Sequence, residues 1–522
     1  MTTETEGAQP GFWNTAAADP DRVAVINPDG SSITYGELEK LVNQLSHALL
    51  AAGLGRESTV AVVAHNHHVF MAMNFATGQI GGYCVPVNWH FLKDEMAHIL
   101  ADSGTGLVVA GPGVYETVTE AADEAGIPAD MRLSITPEPG YRLLSEFADG
   151  YPDSRPDKLV CGMFMGYTSG TTGHPKGVKR PIMDVPPETF MMVMAHVLKD
   201  RYLAAAPDVF LLPAPMYHAA PNGHATEALY YGNTLVLMDR WDSEEALALI
   251  DRHKVTNMFV APIHLARWLA LPDEVRAKYD VSSIKQVMHA GAPCPVSVKY
   301  RAIEWLGPIL YEYYGGTEGA FTSVTCDVWL EHPGTVGNVH DALPDIKVLD
   351  EETGEELPAG EIGLLYSKFP GLEFAYHNDP EKTTNATADG GFVTLGDVGY
   401  VDEDGWLFMS DRRTDMILSG GVNIYPAEIE SLLLEHPAVG DAAVVGVPDE
   451  EWGNRLMAFI EPAPGISPGP ELADELATHC RAGLAKFKCP QEFEFRSELP
   501  RSGAGKLLRR VLRDELAART TV

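Results

Sequence analysis

From about residue 33 the chain alternates two apolar periods, and this alternation restricts its folds more than any other feature. Leu38, Leu41, Val42, Leu45 and Leu49 recur at helical spacing, and the strand-like run TVAVVA follows. SEEALALIDRH, with a serine cap, carries a second helical stripe before the buried strand VTNMFVAP, and IKQVMHAG reads as another strand. Repeated βα alternation implies an α/β fold, with sheets covered by helices and ligands expected in loops at strand ends. The uncharged stretch from Val69 to Leu92 holds Asn, Gln, His, Pro and several glycines, so it reads as helix, turn and strand rather than a membrane span.

A chain of 522 residues exceeds one hydrophobic core. A boundary is expected after the turn-rich VDEDGW, dividing a large N-terminal domain of βα-layered subdomains, 1–410, from a small α+β domain, 411–522, which the resemblance described below implies is mobile. In the second part the order is helix (PAEIESLLLEH), two strands, helix (ELADELATHCRAGL), strand (EFEFR) and helix (KLLRRVLRDELAA). The six cysteines are scattered at neither zinc nor redox spacing, as buried thiols of a reducing compartment would be. The acidic start MTTETEGAQPGFW shows no signal pattern, so a cytoplasmic location is expected.

Between Tyr167 and Arg180 stands YTSGTTGHPKGVKR, too polar and too rich in glycine to be core. Glycines allow close approach of backbone to a ligand, Thr and Ser add hydroxyl donors, and Lys176 adds a compact cation. That combination suits a polyphosphate, although no Walker A spacing runs through it. The formal charge of −35 disfavours nucleic acid and anionic membrane as partners. The same charge means that an anionic ligand needs a local island of cations, which Lys176, Lys179 and Arg180 begin to supply.

TSGTTGHPKGV resembles the phosphate loop of the adenylate-forming superfamily, which comprises acyl-CoA synthetases, peptide-synthetase adenylation domains and luciferases. Further motifs follow in the family's order: PAPMYH, HAGAPCP, YEYYGGTEG, FVTLGDVGYVDEDG, SDRRTDMILSGGVNIYPAEIE and LPRSGAGKLLRR. The variants are most similar to bacterial acyl-CoA ligases. The resemblance implies ATP, Mg²⁺ and CoA as cofactors and co-substrates, with a small-molecule carboxylic acid activated as its adenylate. It implies phosphate contacts from Thr168, Ser169, Gly170, Thr171, Thr172, Lys176 and Thr317. Gly291, Ala292, Tyr314 and Gly315 would border adenine, Asp397 and Arg412 would hold the ribose, and Glu318 would bind the metal. Lys506 would bridge the carboxylate and the α-phosphate, His218 would wall the acyl site, and Gly420 and Gly421 would border a pantetheine tunnel after domain rotation.

The chain departs from the family pattern at Thr414, the implied pivot, where many members carry Asp or Lys. It departs also at Leu395, between Thr394 and Gly396, and at Gly503–Ala504 before Gly505–Lys506. An amide bond synthetase, passing the acyl group to an amine, shares all these motifs and is the alternative. MYHAAPN carries no Asp to pair an α-ammonium, which disfavours amino acids. The oligomeric state is open, a homodimer included. Of the remaining features, His65–His68 (HNHH) lacks nearby thiols or carboxylates for a metal site, His289 reads as a satisfied core histidine, and Met191, Met192 and Met194 read as core filler. Asp402, Glu403 and Asp404 read as a solvated turn.

Overall fold

The computed structural model describes residues 10–168, 175–197, 208–316, 319, 322–342, 344–369, 373–419, 422–449, 452–503 and 505–520. Thr34 starts the first long helix, Tyr35–Ala51, with a reciprocal cap. Its hydroxyl accepts from Glu37 N at 3.2 Å, and the Glu37 carboxylate accepts from Thr34 N at 2.9 Å. The expected stripe of Leu38, Val42, Leu45 and Leu49 is fully buried. The helix Ser243–His253 is capped differently from the serine expectation. Asp242 accepts from Glu245 N at 2.8 Å, and Ser243 is the first helical residue. A carboxylate beside the positive helix end is a stronger acceptor than a hydroxyl.

Two parallel sheets form the frame. One has eight strands in the order Thr322–Thr325, Leu310–Tyr314, Gln286–His289, Asn257–Val260, Val209–Leu212, Thr234–Leu237, Val23–Ile26, Ser32–Thr34, antiparallel only at its two edges. The other has six parallel strands, with Thr59–Val63 between Tyr83–Pro86 and Thr105–Ala110. Helices Tyr35–Ala51 and His68–Gln79 lie between the sheets, in a core that takes Phe210, Leu212, Leu235 and Leu237 from one sheet and Val60, Val62, Leu107 and Val109 from the other. Alternate residues Leu211, Val236, Met258 and Val287 face an outer helical layer. Burial on both faces is why these strands read as unbroken apolar runs in the sequence.

A third, antiparallel sheet includes Phe392–Val401 paired with Trp406–Arg412, placing Asp397 opposite Arg412. Beyond it, Val439–Asp449, Gly453–Pro462 and Glu492–Phe495 form a small sheet covered by helices Pro426–Leu433, Pro470–Gly483 and Arg509–Thr520. The last helix begins three residues later than its apolar pattern suggests. Arg501 and Leu507 form a bridge that keeps Lys506 in a turn.

Arg509 fastens the junction. Its guanidinium donates to both Glu430 oxygens at 2.9 and 2.6 Å and to Asp415 at 2.9 Å, with Asp411 at 3.7 Å. Asp411 in turn accepts from Ala427 N at 2.9 Å, in the first turn of Pro426–Leu433.

Three core expectations are refined. Met192 is 56% exposed while Met191 packs on the central core, because neighbours on a helix point about 100° apart. The side chain of Met194 lies outside the described residues. His289 is fully buried, and neither ring nitrogen has a hydrogen-bond partner among the described residues; Nε2 lies 3.9 Å from Glu312 Oε2. Burial, reinforced by the Lys299 ammonium, holds it far below the usual imidazole range. All six cysteines are free, Cys84, Cys161, Cys326 and Cys480 buried, Cys294 and Cys489 partly so.

Replacing Arg509 by Met would leave Glu430 and Asp411 without that cation, and Asp415 with Arg513 alone, 3.4 Å away. The expected cost is about 3–5 kcal/mol, read as a lower urea midpoint of the C-terminal unit.

Candidate active site

The carboxyl ends of four parallel strands converge on one cavity of about 1590 Å³. Val209–Leu212 leads to Tyr217 and His218, Gln286–His289 to Ala290 and Gly291, and Leu310–Tyr314 to Gly315 and Gly316, while Asn257–Val260 contributes Phe259. Such strand ends are where open α/β sheets bind ligands. Asp397 and Thr394 enter from the antiparallel sheet, and Lys506, Arg501 and Arg510 from the C-terminal unit. Arg180, Lys382 and Arg413 also line the cavity. The chain is strongly acidic overall, so this set is the local island of positive charge that an anionic ligand needs.

Lys506 stands on a braced turn. Ser502 N donates to Lys506 O at 2.8 Å, and Ser502 Oγ accepts from Lys506 N at 3.1 Å. Arg501 grips Asp441 with two bonds of 2.7 Å and donates to Gly505 O at 2.6 Å. Glycine is required on both sides of residue 504. A Cβ on Gly503 would overlap the Tyr217 hydroxyl, and one on Gly505 would lie 2.6 Å from Ile263 Cγ2 on a backbone with φ of +79°. The turn can therefore sit against the strand ends only with bare backbone.

His218 caps the helix Ala219–Tyr230 through its backbone, Asn222 N donating to its carbonyl at 3.1 Å. Burial first, then the nearby Lys506 ammonium and His90, hold its imidazole at about 4, so it is neutral at physiological pH. Neither His218 Nε2 nor the Tyr217 hydroxyl has a hydrogen-bond partner among the described residues, and both residues line the cavity.

Asp397 is 6% exposed and accepts from the Tyr314 hydroxyl at 2.8 Å. Sequence reasoning gave Tyr314 an aromatic face and missed this bond. Register pairing between Asp397 and Arg412 puts the two expected ribose residues side by side on the backbone, although the Arg412 side chain lies outside the described residues.

Thr168 pairs with Lys176 in an antiparallel hairpin, and the Lys176 ammonium lies 3.2 Å from Asp379, a partner the motif did not disclose. Ser169, Gly170, Thr171, Thr172, Thr317, Glu318, Gly420 and Gly421, and the side chain of Thr168, lie outside the described residues. Ala292 follows Gly291 in the loop after Gln286–His289. Among the described residues no cluster of three His, Cys, Asp or Glu could hold a metal, the HNHH stretch included. No helix is long and apolar enough to cross a membrane.

Residues 12–377 match the family of AMP-binding enzymes, and residues 428–506 match the AMP-binding enzyme C-terminal domain. The chain is 34% identical over 526 residues to a fatty acid–acyl-carrier-protein ligase of Streptomyces coeruleorubidus, covering 96% of this chain and 94% of that one. It is 34% identical over 504 residues to a feruloyl-CoA synthase of an Amycolatopsis species, covering 96% and 97%. Among solved structures, the amide bond synthetase McbA from Marinactinospora thermotolerans superposes with a TM-score of 0.81 at 28% identity, covering 97% of this chain and 99% of that one.

Two expectations follow from this geometry. Gly503→Val should unseat the turn from the strand ends, raising amide-hydrogen exchange at residues 261–264 and 502–506 about tenfold or more. Burial also depresses His68 and His264 to about 3 and His218 to about 4, from 6.5. Below about pH 6.5 the unfolded chain therefore binds more protons than the folded one. The thermal midpoint should hold above that pH and fall steadily towards pH 4.

Proposed function

The chain belongs to the AMP-binding enzymes, and from that premise we propose that it joins a carboxylic acid to the α-phosphorus of ATP, releases pyrophosphate, and passes the acyl group to the thiol of CoA, with AMP as the leaving group and the thiol proton lost to solvent. A carboxylate is a poor acyl donor because its leaving group would be oxide. Attack of one carboxylate oxygen on the α-phosphorus forms the mixed anhydride, and the bond to the β-phosphate oxygen breaks. The protein has little covalent work in this step; it brings two anions together and neutralises them.

The observation that carries this reading is the position of Lys506. A lysine from near the end of the chain lines the same cavity as Gly291, Gly315, Asp397 and His218. Its ammonium bridges the acid and the α-phosphate as charge builds between them. Asp397, already oriented by Tyr314, accepts both hydroxyls of the ribose. Arg412 supports the ribose from beside it, and Gly291, Ala292, Gly315 and the Tyr314 ring border adenine. Thr168, Ser169, Gly170, Thr171, Thr172, Lys176 and Thr317 take the phosphates, for which Lys176 exchanges its contact with Asp379. Neutral His218 walls the acid without adding a charge that would compete for it.

Glu318, which lies outside the described residues, would hold Mg²⁺ together with phosphate oxygens of the nucleotide. Bound there, it would neutralise phosphate charge.

Transfer follows when the small domain turns about Thr414 and brings Gly420 and Gly421 to the cavity. Backbone pairing of Arg412 and the bond from Arg413 N to Gly396 O at 2.9 Å hold those residues to the antiparallel sheet, and Arg513 and Arg509 hold Thr414 O and Asp415 to the C-terminal unit, so the joint falls between Arg413 and Thr414. The turn breaks the Asp411–Ala427 bond and keeps the Asp415–Arg509 pair.

A second acceptor, an amine, has specific support in the likeness to McbA over nearly the full length of both chains. Mass spectrometry of products from ATP, acid, CoA and a panel of amines separates the two; amide without any thioester would overturn the CoA assignment. Acid-dependent exchange of pyrophosphate into ATP tests the first half. Lys506→Ala is expected to lower that exchange by about 10²–10³-fold while sparing turnover of a supplied acyl adenylate. Equal loss of both halves would remove Lys506 from the role given to it.

A further inference from the structure

Two glycines sit inside helices that wall the cavity, and neither is there for the backbone. Gly78 belongs to His68–Gln79 and Gly223 to Ala219–Tyr230, and neither has a positive φ. Glycine weakens a helix relative to alanine, so a reason is needed at each position. Packing does not supply one. A Cβ on either residue would meet nothing within 4 Å. Gly162 and Gly166 line the same cavity and differ in this respect. A Cβ on Gly162 would lie 2.6 Å from the Thr77 carbonyl oxygen, and one on Gly166 would lie 2.6 Å from the Phe164 ring.

What Gly78 and Gly223 do provide is space. The cavity is lined by Asn74, Phe75 and Gly78 from one helix and by Asn222, Gly223, Thr226, Glu227 and Tyr230 from the other. Ala219, Ala220, Pro221 and His224 line it too, so the whole first turn of this helix borders the cavity, and Thr226, Glu227 and Tyr230 continue along one face beyond it. The two helices touch through Asn74 Nδ2, which donates to Asn222 Oδ1 at 2.6 Å. Beside that contact both glycines omit a side chain.

Resting on the acid-activating reading above, we propose that Gly78 and Gly223 are size-determining residues. They open a channel between the two helices for a bulky or extended, chiefly apolar acid with a single carboxylate. Charge excludes a second carboxylate. Glu227 lies one helical turn beyond Gly223 on the channel face, its carboxylate 3.5 Å from His224 Nδ1. A distal carboxylate would meet it as a like charge in a confined space.

The test compares wild type with Gly78→Leu, Gly223→Leu and the two alanine variants. Pyrophosphate exchange is measured on monocarboxylic acids graded from acetate to aryl-propenoic and dodecanoic acids, and on dicarboxylic acids of matched length. Wild type is expected to favour the larger monocarboxylic acids. Each leucine variant should lose roughly 10–200-fold in kcat/KM for those acids while keeping its rate on the smallest acid used. The alanine variants should melt no lower than wild type. An unchanged large-to-small ratio in both leucine variants overturns the proposal. So does a fall in melting temperature in both alanine variants, which would return the glycines to a backbone role. Dicarboxylic acids used as well as monocarboxylic ones overturn the single-charge assignment. Should wild type exchange with no acid at all, the adenylation reading fails by itself. Binding of the fluorescent cis-parinaric acid, retained in wild type and lost in the leucine variants, then still reads the channel; equal binding in all of them overturns it.

Discussion

Arg501 holds Asp441 with both arms of its guanidinium, and through that fork the turn carrying Lys506 is fixed to the edge strand Val439–Asp449 of the C-terminal unit. Asp441 is nearly buried, so the pair is screened little by solvent and neither partner is free to leave alone. Everything attributed to Lys506 depends on this. A lysine side chain is long and loses much rotamer freedom when fixed, and a mobile loop would add backbone entropy to that loss. With the turn held by Arg501 and Ser502, only the side chain remains to be ordered when two anions meet in the cavity.

The same fixture explains why the small unit matters to a site built mostly by the large one. The strand ends supply backbone surfaces, a neutral imidazole and a buried carboxylate, all of which fit neutral or hydroxyl-bearing parts of a ligand. The C-terminal unit brings further positive charge, from Arg501, Lys506 and Arg510. The Arg509 cluster keeps the segment after Thr414 attached to the C-terminal unit, so the rotation proposed above would deliver and withdraw that charge as a body. Bare glycine backbone at 503 and 505 is the steric condition for the close seat.

Much of the fold was legible. Apolar periods located the helices Tyr35–Ala51, Ser243–His253 and Pro470–Gly483 and the strands around them, because burial against a sheet imposes those periods directly. Local chemistry was read less well. Ser243 looked like a cap, but Asp242 is one residue away and carries the charge. Helical direction, not composition, left Met192 outside. His289 was buried as expected, yet its unpartnered nitrogens depend on Lys299 and Glu312, which come from a helix and a strand beyond it. At the site, the motif containing Tyr314 did not disclose that its hydroxyl would reach Asp397, 83 residues on.

The sequence by itself determined the family, the order of the motifs and the types of group available, since hydroxyl-rich loops, a carboxylate and a late lysine are properties of residues. It also determined the alternation that makes layered parallel sheets the stable burial for these strands. Tertiary structure decided which of those groups meet. Lys506 beside His218, Tyr314 on Asp397, Gly503 under Tyr217, and Asn74 on Asn222 are contacts between segments distant in the chain. Such contacts follow from how helices and sheets pack as bodies, and a helix gives the same local signal whether its glycine faces solvent, a neighbour or an open channel.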